Sequence, residues 1–264
     1  MNKIEAVVFD WAGTTIDYGC FAPLEVFLEI FRKQGVEITV KEARGPMGML
    51  KIEHIRALLA ESRIHAEWVR VKGVEPTEED VHLMNNEFEK ILFEALPRFA
   101  TPISGVPELV SSLRSKGIKI GATTGYTKKM MEIVAPRAAE LGYAPDCYFT
   151  ADDVKAGRPY PWMCYRNAEE LDVYPMNKMM KVGDTATDMK EGKNAGMISI
   201  GVVLGGSELG LSEQEVKDMD TKELEVEILR VKERLTEAGA DYVITKVDEL
   251  ENVIDQIEGK SLQK

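Results

Sequence analysis

A carboxylate, Asp10, follows directly on the short apolar run Ala6-Val7-Val8-Phe9, the pattern of a strand buried on both faces. Further runs at Ile118–Thr123, Cys147–Thr150 and Met179–Val182 end in the same way, at Thr123-Thr124-Gly125, Asp152-Asp153 and Gly183-Asp184. Ligands of open parallel sheets bind beyond the carboxyl ends of the strands, so four ends that carry carboxylates and hydroxyls suit a metal ion and a phosphate-like group. Asp10 and Asp184 have the chemistry to hold Mg²⁺, a hard cation that takes a few carboxylate oxygens and retains water and phosphoryl ligands. Asp188 lies four residues beyond Asp184 and shares its face if a helix begins there. It would then either support the site from behind or serve as a first-turn acid favoured by the helix dipole.

These strand ends need a frame. Two more runs, Ile198–Val203 and Tyr242–Ile244, alternate with helical stretches at Val106–Lys116, Lys128–Leu141, Trp162–Leu171 and Ser212–Ala238. Strands alternating with helices predict an α/β protein with a mostly parallel sheet covered on both sides. The segment from 21 to 99 breaks this rhythm and reads as a helical insert, flanked by hinges at Tyr18–Ala22 and Pro97–Gly105. Leu24, Phe27, Leu28 and Phe31 form an apolar stripe, which packs either the insert or a second copy of the chain. In the insert, Pro46 starts a predicted helix on which Met47, Lys51 and His54 share one face.

Composition narrows the partners. With 33 Lys and Arg against 45 Asp and Glu, the net charge of −12 repels nucleic acid and anionic membranes. The apolar content of 44% and length of 264 residues suit a soluble globular chain, and no run is long enough for a membrane span. Three cysteines without C-x-x-C spacing suggest neither disulfides nor zinc and fit a reducing cytoplasm.

The stretch Asp10-Trp11-Ala12-Gly13-Thr14, the pair Thr124-Gly125, Arg158, and Gly183-Asp184-x-x-x-Asp188 together resemble the four motifs of the haloacid dehalogenase superfamily. The resemblance implies a Rossmann-like core over residues 1–20 and 100–264 with a helical cap domain over 21–99. It also implies that Asp10 attacks phosphorus, that Thr124 and Gly125 meet the phosphoryl oxygens, and that Arg158 stands where most members carry a lysine. One departure is informative. Phosphatases of this superfamily carry a second acid two residues after the nucleophile, where this chain has Ala12. A leaving atom other than an ester oxygen, needing a different activation, accounts for that loss.

The wider set Tyr18-Gly19-Cys20-Phe21-Ala22-Pro23, Pro46-Met47-Gly48 leading to Lys51, and Gly157-Arg158-Pro159-Tyr160-Pro161-Trp162 is similar to the branch that hydrolyses the carbon–phosphorus bond of phosphonoacetaldehyde. That likeness implies Mg²⁺ bound by Asp10, the Ala12 carbonyl and Asp184. It further implies a Schiff base on Lys51, with Met47, His54 and Arg158 around a small phosphonate substrate, in a homodimer. An ordinary phosphatase or phosphomutase, or a noncatalytic anion-binding scaffold, are the alternatives, and Ala12 disfavours the first.

Overall fold

Helical and strand periodicities separate along the chain, and the computed structural model, which describes residues 3–46 and 51–259, divides into two compact units. They are Phe21–Phe99, and Met1–Cys20 together with Ala100–Lys264.

The first unit is helical: α1 (Ala22–Lys33), α2 (Val40–Arg44), α3 (Lys51–Ala60), α4 (Ser62–Lys72) and α5 (Glu78–Ala95). Leu24, Phe27 and Phe31 of α1 are buried, with the Phe27 ring 4.7 Å from that of Phe88 in α5. Three of the four residues of the apolar stripe are therefore interior to this unit, and Leu28 is half-buried. Each such ring removed from water contributes about 1.5–3 kcal/mol, which is ample reason for the stripe to turn inward. Thr39 with Glu42, and Thr77 with Asp80, form reciprocal caps that start α2 and α5. Met47 and the beginning of the helix expected after Pro46 lie outside the described residues.

The second unit is a six-stranded sheet of β1 (Ala6–Phe9), β2 (Lys119–Thr124), β3 (Cys147–Thr150), β4 (Met179–Gly183), β5 (Ile198–Val202) and β6 (Tyr242–Ile244). All neighbours run parallel, in the order β3-β2-β1-β4-β5-β6. The helices of this unit are α6 (Val106–Ser115), α7 (Lys128–Glu140), α8 (Trp162–Glu170), α9 (Ala186–Ala195), α10 (Glu213–Asp218), α11 (Thr221–Glu237) and α12 (Leu250–Ile257). Strand β1 is central and wholly buried, as its uninterrupted apolar sequence requires.

Register delivers the chemistry to one edge. Phe9 pairs with Ala122 on β2 and with Val182 on β4, so the next residues of the three strands, Asp10, Thr123 and Gly183, emerge side by side. The connections out of β1 and β4 lead in opposite directions across the sheet, which opens a crevice at that point.

One expected element divides. The helix anticipated over Ser212–Ala238 is interrupted at Met219, whose backbone is extended, and α11 restarts at Asp220. The Asp220 carboxylate accepts the N–H groups of Lys222 and Glu223, and a helix start with a strong cap is more favourable there than an uncapped continuation.

Candidate active site

Asp10 leads into a tight loop. The Trp11 carbonyl accepts from the N–H groups of Thr14, Thr15 and Ile16, and the Ile16 carbonyl accepts from Gly13. These bonds close the loop on the carbonyls of Trp11 and Ile16, and none of them uses that of Ala12. Trp11 anchors the turn by packing edge-on against Tyr143 and Tyr148, at 5.0 and 5.7 Å between ring centroids. Gly13 is required: its φ is +82°, and a Cβ there would lie 2.7 Å from Asp184 Oδ2.

Arg158 faces three carboxylates at once. Its Nη2 donates to Asp10 Oδ1 at 2.6 Å and to the Thr123 carbonyl and hydroxyl at 2.8 and 2.9 Å. Nη1 is 2.9 Å from Asp188 Oδ1, and Nε donates to Glu191 Oε2 at 3.0 Å. Behind them Lys181, buried in β4, reaches Asp188 Oδ1 at 2.7 Å and Glu191 Oε2 at 3.6 Å. Burial opposes ionisation of Asp188, yet the Arg158 and Lys181 cations hold its carboxyl at about 2. Asp188 also forms the reciprocal cap of α9 with Thr185, so the two roles open to it from sequence coexist.

Asp184 is equally buried but has no cation beside it. Thr14 Oγ1 donates to its Oδ1 at 2.9 Å, and Ser207 donates through N and Oγ to its Oδ2 at 2.8 and 2.7 Å. Burial, then the charges of Asp10 and Asp188, push its carboxyl up to about 7.

Oxygens of Asp10, Asp184 and Asp188 come within 4.8 Å of one another. In Asp188 one oxygen takes Lys181 and Arg158 and the other takes the Thr185 hydroxyl, which leaves it little capacity for another ligand. Asp10 has Arg158 as its counterion, but Asp184 faces the charge of Asp10 with no cation among the causes that set its own pKa. An oxygen-ligated divalent cation between them removes that repulsion, so the donor set fits a hard metal ion.

The other expected residues divide between the two units. Thr124 ends β2, its hydroxyl accepting from Tyr126 N–H and keeping its own hydrogen to donate. Gly125 follows, exposed, with open space where a side chain would stand. Asp152 and Asp153, at the end of the outer strand β3, serve structure: they accept from Lys128 N–H and pair with Lys128 Nζ. In the helical unit, Lys51 is the first described residue of α3, with its side chain exposed and its Nζ 5.2 Å from the Phe88 ring centroid. His54, one turn on, is buried, stacked at 3.7 Å on Phe27, with Nε2 2.9 Å from the Ala43 carbonyl. A carbonyl only accepts, so Nε2 carries the hydrogen and Nδ1 is the basic atom, and burial pushes the ring's pKa down.

Four residues of this region escape the strand-end reading. Lys181 sits in the apolar run of β4, where a buried cation must have acid partners. That rule would have exposed both it and Glu191, one turn beyond Asp188. Ser207 stands in Gly205-Gly206-Ser207, five residues beyond the last residue of β5, Val202, and not directly at the strand end. The Tyr126 hydroxyl is buried without a hydrogen-bond partner among the described residues, and burial together with the charges of Cys20, Asp17 and Asp10 pushes its pKa up.

The model of haloacid dehalogenase-like hydrolases matches residues 4–196. Proteins named phosphonoacetaldehyde hydrolase from Bacillus cereus (strain G9842) and Bacillus mycoides (strain KBAB4) are each 64% identical over 260 residues, 98% of both chains. A crystal structure described as a phosphonoacetaldehyde hydrolase-like protein from Oleispira antarctica is 40% identical, with TM-score 0.81 over 97% of this chain and 93% of that one. That of a putative β-phosphoglucomutase from Thermotoga maritima, 24% identical with TM-score 0.66 over 96% and 99%, shares the fold.

Proposed function

Because this chain belongs to the haloacid dehalogenase-like hydrolases, we propose that it hydrolyses the carbon–phosphorus bond of phosphonoacetaldehyde to acetaldehyde and phosphate, with Mg²⁺ as cofactor. The observation that carries this reading is Ala12, set in a loop that otherwise presents Asp10 to a guanidinium and a second aspartate. The position of the acid that would protonate an ester oxygen holds a methyl group, so the departing atom must be activated in another way.

Asp10, the Ala12 carbonyl and Asp184 would hold Mg²⁺, whose charge offsets the repulsion between a carboxylate and a phosphonate. The Lys51 amine condenses with the aldehyde, releasing water and leaving a protonated imine. Asp10 attacks phosphorus, the carbon–phosphorus bond breaks, and its electron pair moves into the imine to give an enamine. Protonation at carbon and hydrolysis release acetaldehyde and restore Lys51. A second water frees phosphate from Asp10, so one water is consumed overall. Arg158, Thr124 and the Gly125 backbone bind the phosphonate oxygens, Met47 lines the substrate, and Asp188 keeps Arg158 in place. His54 offers Nδ1 for proton exchange with Lys51 or the substrate, since Nε2 is taken by Ala43.

The reading also includes the cytoplasm, supported by three cysteines none of which forms a disulfide among the described residues, and a homodimer. The stripe of α1 is mostly buried, whereas the exposed Tyr160, Trp162, Tyr165 and Tyr174 have the aromatic composition of an interface for a second copy. Sedimentation as a monomer at micromolar concentration would remove the dimer.

Borohydride added during turnover of phosphonoacetaldehyde with Mg²⁺ should inactivate the protein and add mass to the peptide containing Lys51, sparing protein without substrate. Lys51→Arg should be inactive, because a guanidinium stays protonated and forms no imine. Labelling of another lysine, or near-native turnover by Lys51→Arg, would sink the Schiff base. Turnover of p-nitrophenyl phosphate in preference to the phosphonate would instead favour an ordinary phosphatase.

A further inference from the structure

The buried acid–base cluster behind Asp10 contains one carboxylate that neither the metal set nor the substrate set explains. Glu191 is fully buried on α9, one turn after Asp188. Its Oε2 accepts from Arg158 Nε at 3.0 Å and from Thr123 Oγ1 at 3.0 Å, with Lys181 Nζ 3.6 Å away. Its Oε1 is buried with no hydrogen-bond partner among the described residues.

Close packing brings it there. A Cβ at Gly192, the next residue, would lie 2.3 Å from Ser199 Oγ and 2.8 Å from Lys181 Cβ, so α9 can lie this near to β4 and β5 only with glycine at that position. Stability alone is a poor account of the arrangement. Buried ion pairs give up hydration that apolar residues of similar volume would not, and here one carboxylate oxygen is left without a hydrogen-bond partner.

Geometry supplies a better account. A guanidinium is a rigid planar fork, so fixing two of its edges fixes the third. Glu191 holds Nε and Asp188 holds Nη1, and both acids are wholly buried. The remaining nitrogen, Nη2, faces Asp10 and the Thr123 oxygens. When Nη2 exchanges Asp10 for a phosphoryl oxygen, Lys181 and the other two edges of Arg158 still face the two acids of α9.

We propose that Glu191 is a positioning residue for the proposed reaction: with Lys181 as its countercharge, it locks the Nε edge of Arg158 so that Nη2 is presented to the anion bound at Asp10. This rests on the reading that Arg158 binds the phosphoryl group.

The test measures the affinity of the Mg²⁺-loaded protein for inorganic phosphate, together with KM and kcat for phosphonoacetaldehyde, in a double-mutant cycle with Arg158→Ala. Glu191→Ala should weaken phosphate binding and raise KM by about 10- to 100-fold, the loss typical for removal of a residue that orients a liganding group. Glu191→Gln keeps an oxygen for Arg158 Nε and should recover most of that loss. In the Arg158→Ala background, Glu191→Ala should change phosphate affinity by less than about threefold, because the group it orients is gone. A structural role predicts a smaller folded fraction with phosphate affinity and KM unmoved. The proposal is overturned if folded Glu191→Ala binds phosphate within about twofold of the unmodified protein, or loses the same factor in both backgrounds. Should Glu191→Ala fail to fold, Glu191→Met decides, since it fills the space without offering Arg158 Nε an oxygen: a loss of about threefold or more that vanishes without Arg158 supports the proposal, and no change refutes it. If Arg158→Ala alone leaves phosphate affinity intact, the reading of Arg158 as the anion ligand fails first, and separately.

Discussion

Gly13→Ala should disable the metal site while sparing the fold, and the structure sets the size of the effect. Gly13 has φ of +82°, where an L-residue with a Cβ is strained by about 1–2 kcal/mol. The added carbon would stand 2.7 Å from Asp184 Oδ2 and 3.0 Å from its Cγ. Ordinary contacts begin near 3.5 Å, so the carboxylate must retreat by about 0.5 Å or more, at an overpacking cost of about 1–3 kcal/mol. It has nowhere to go, since Thr14 and Ser207 hold its two oxygens at 2.7–2.9 Å. Mg²⁺ demands oxygens at about 2.0–2.1 Å in octahedral geometry, and a ligand displaced by half an ångström falls outside that tolerance. Magnesium affinity, read by titration calorimetry, should drop at least 10- to 100-fold, with turnover falling in parallel and circular dichroism preserved. Gly73→Ala is the control: its φ is +74° but nothing lies within 4 Å of the new carbon, so it carries strain without a clash. That variant should lose stability and keep its magnesium affinity. If Gly13→Ala binds Mg²⁺ within about twofold of the unmodified protein, the coupling of this loop to Asp184 is wrong.

Asp10→Ala should abolish turnover with the fold intact, since it removes both the proposed nucleophile and a proposed metal ligand, and residual activity above a few per cent would exclude an aspartyl-phosphate route. Arg158→Ala should raise the inhibition constant of phosphate by about 100-fold or more, since one charge pair near 4 Å is worth about 4 kcal/mol at an effective dielectric of 20. Its Mg²⁺ dissociation constant should not rise, because a cation has left the cluster, and equal loss of both ligands would contradict that division of labour. In metal-free protein the Asp184 carboxyl, pushed up to about 7, favours the fold fully below the unfolded-state value near pH 4 and loses that contribution as pH rises through 7. Mg²⁺ must displace the retained proton, so its apparent affinity should climb from about pH 5.5 to 7 and then level off, with proton release detectable in buffers of different ionisation enthalpy. A flat profile over that interval would show that Asp184 is already ionised.

The six strands and their parallel arrangement were legible because each signal is local: a short apolar run, a turn, then an amphipathic helix. Asp10, Thr124 and Asp184 were legible for the same reason, being the residues at which such runs stop. Arg158 and Lys51 were not, since nothing in their immediate surroundings separates them from solvated cations, and it was likeness to a known family that singled them out. Asp152 and Asp153 show the limit of the local rule. They too end an apolar run, but β3 lies at the sheet's edge, two strands from β1, with only Thr150 buried, and they cap and pair with Lys128 instead.

From the sequence alone came the fold class, the Asp10 loop with alanine at position 12, and Asp184 at the end of β4, all of them set by short-range pattern or by the identity of one residue. Tertiary structure alone decided that Lys181, Glu191 and Ser207 belong to the site, that Asp188 is spent on two cations and a hydroxyl, and that His54 is tied to Ala43. A charge or hydroxyl in the interior is settled by whichever partners the strand register and helix packing bring within about 3 Å, and those partners come from segments far apart in the chain.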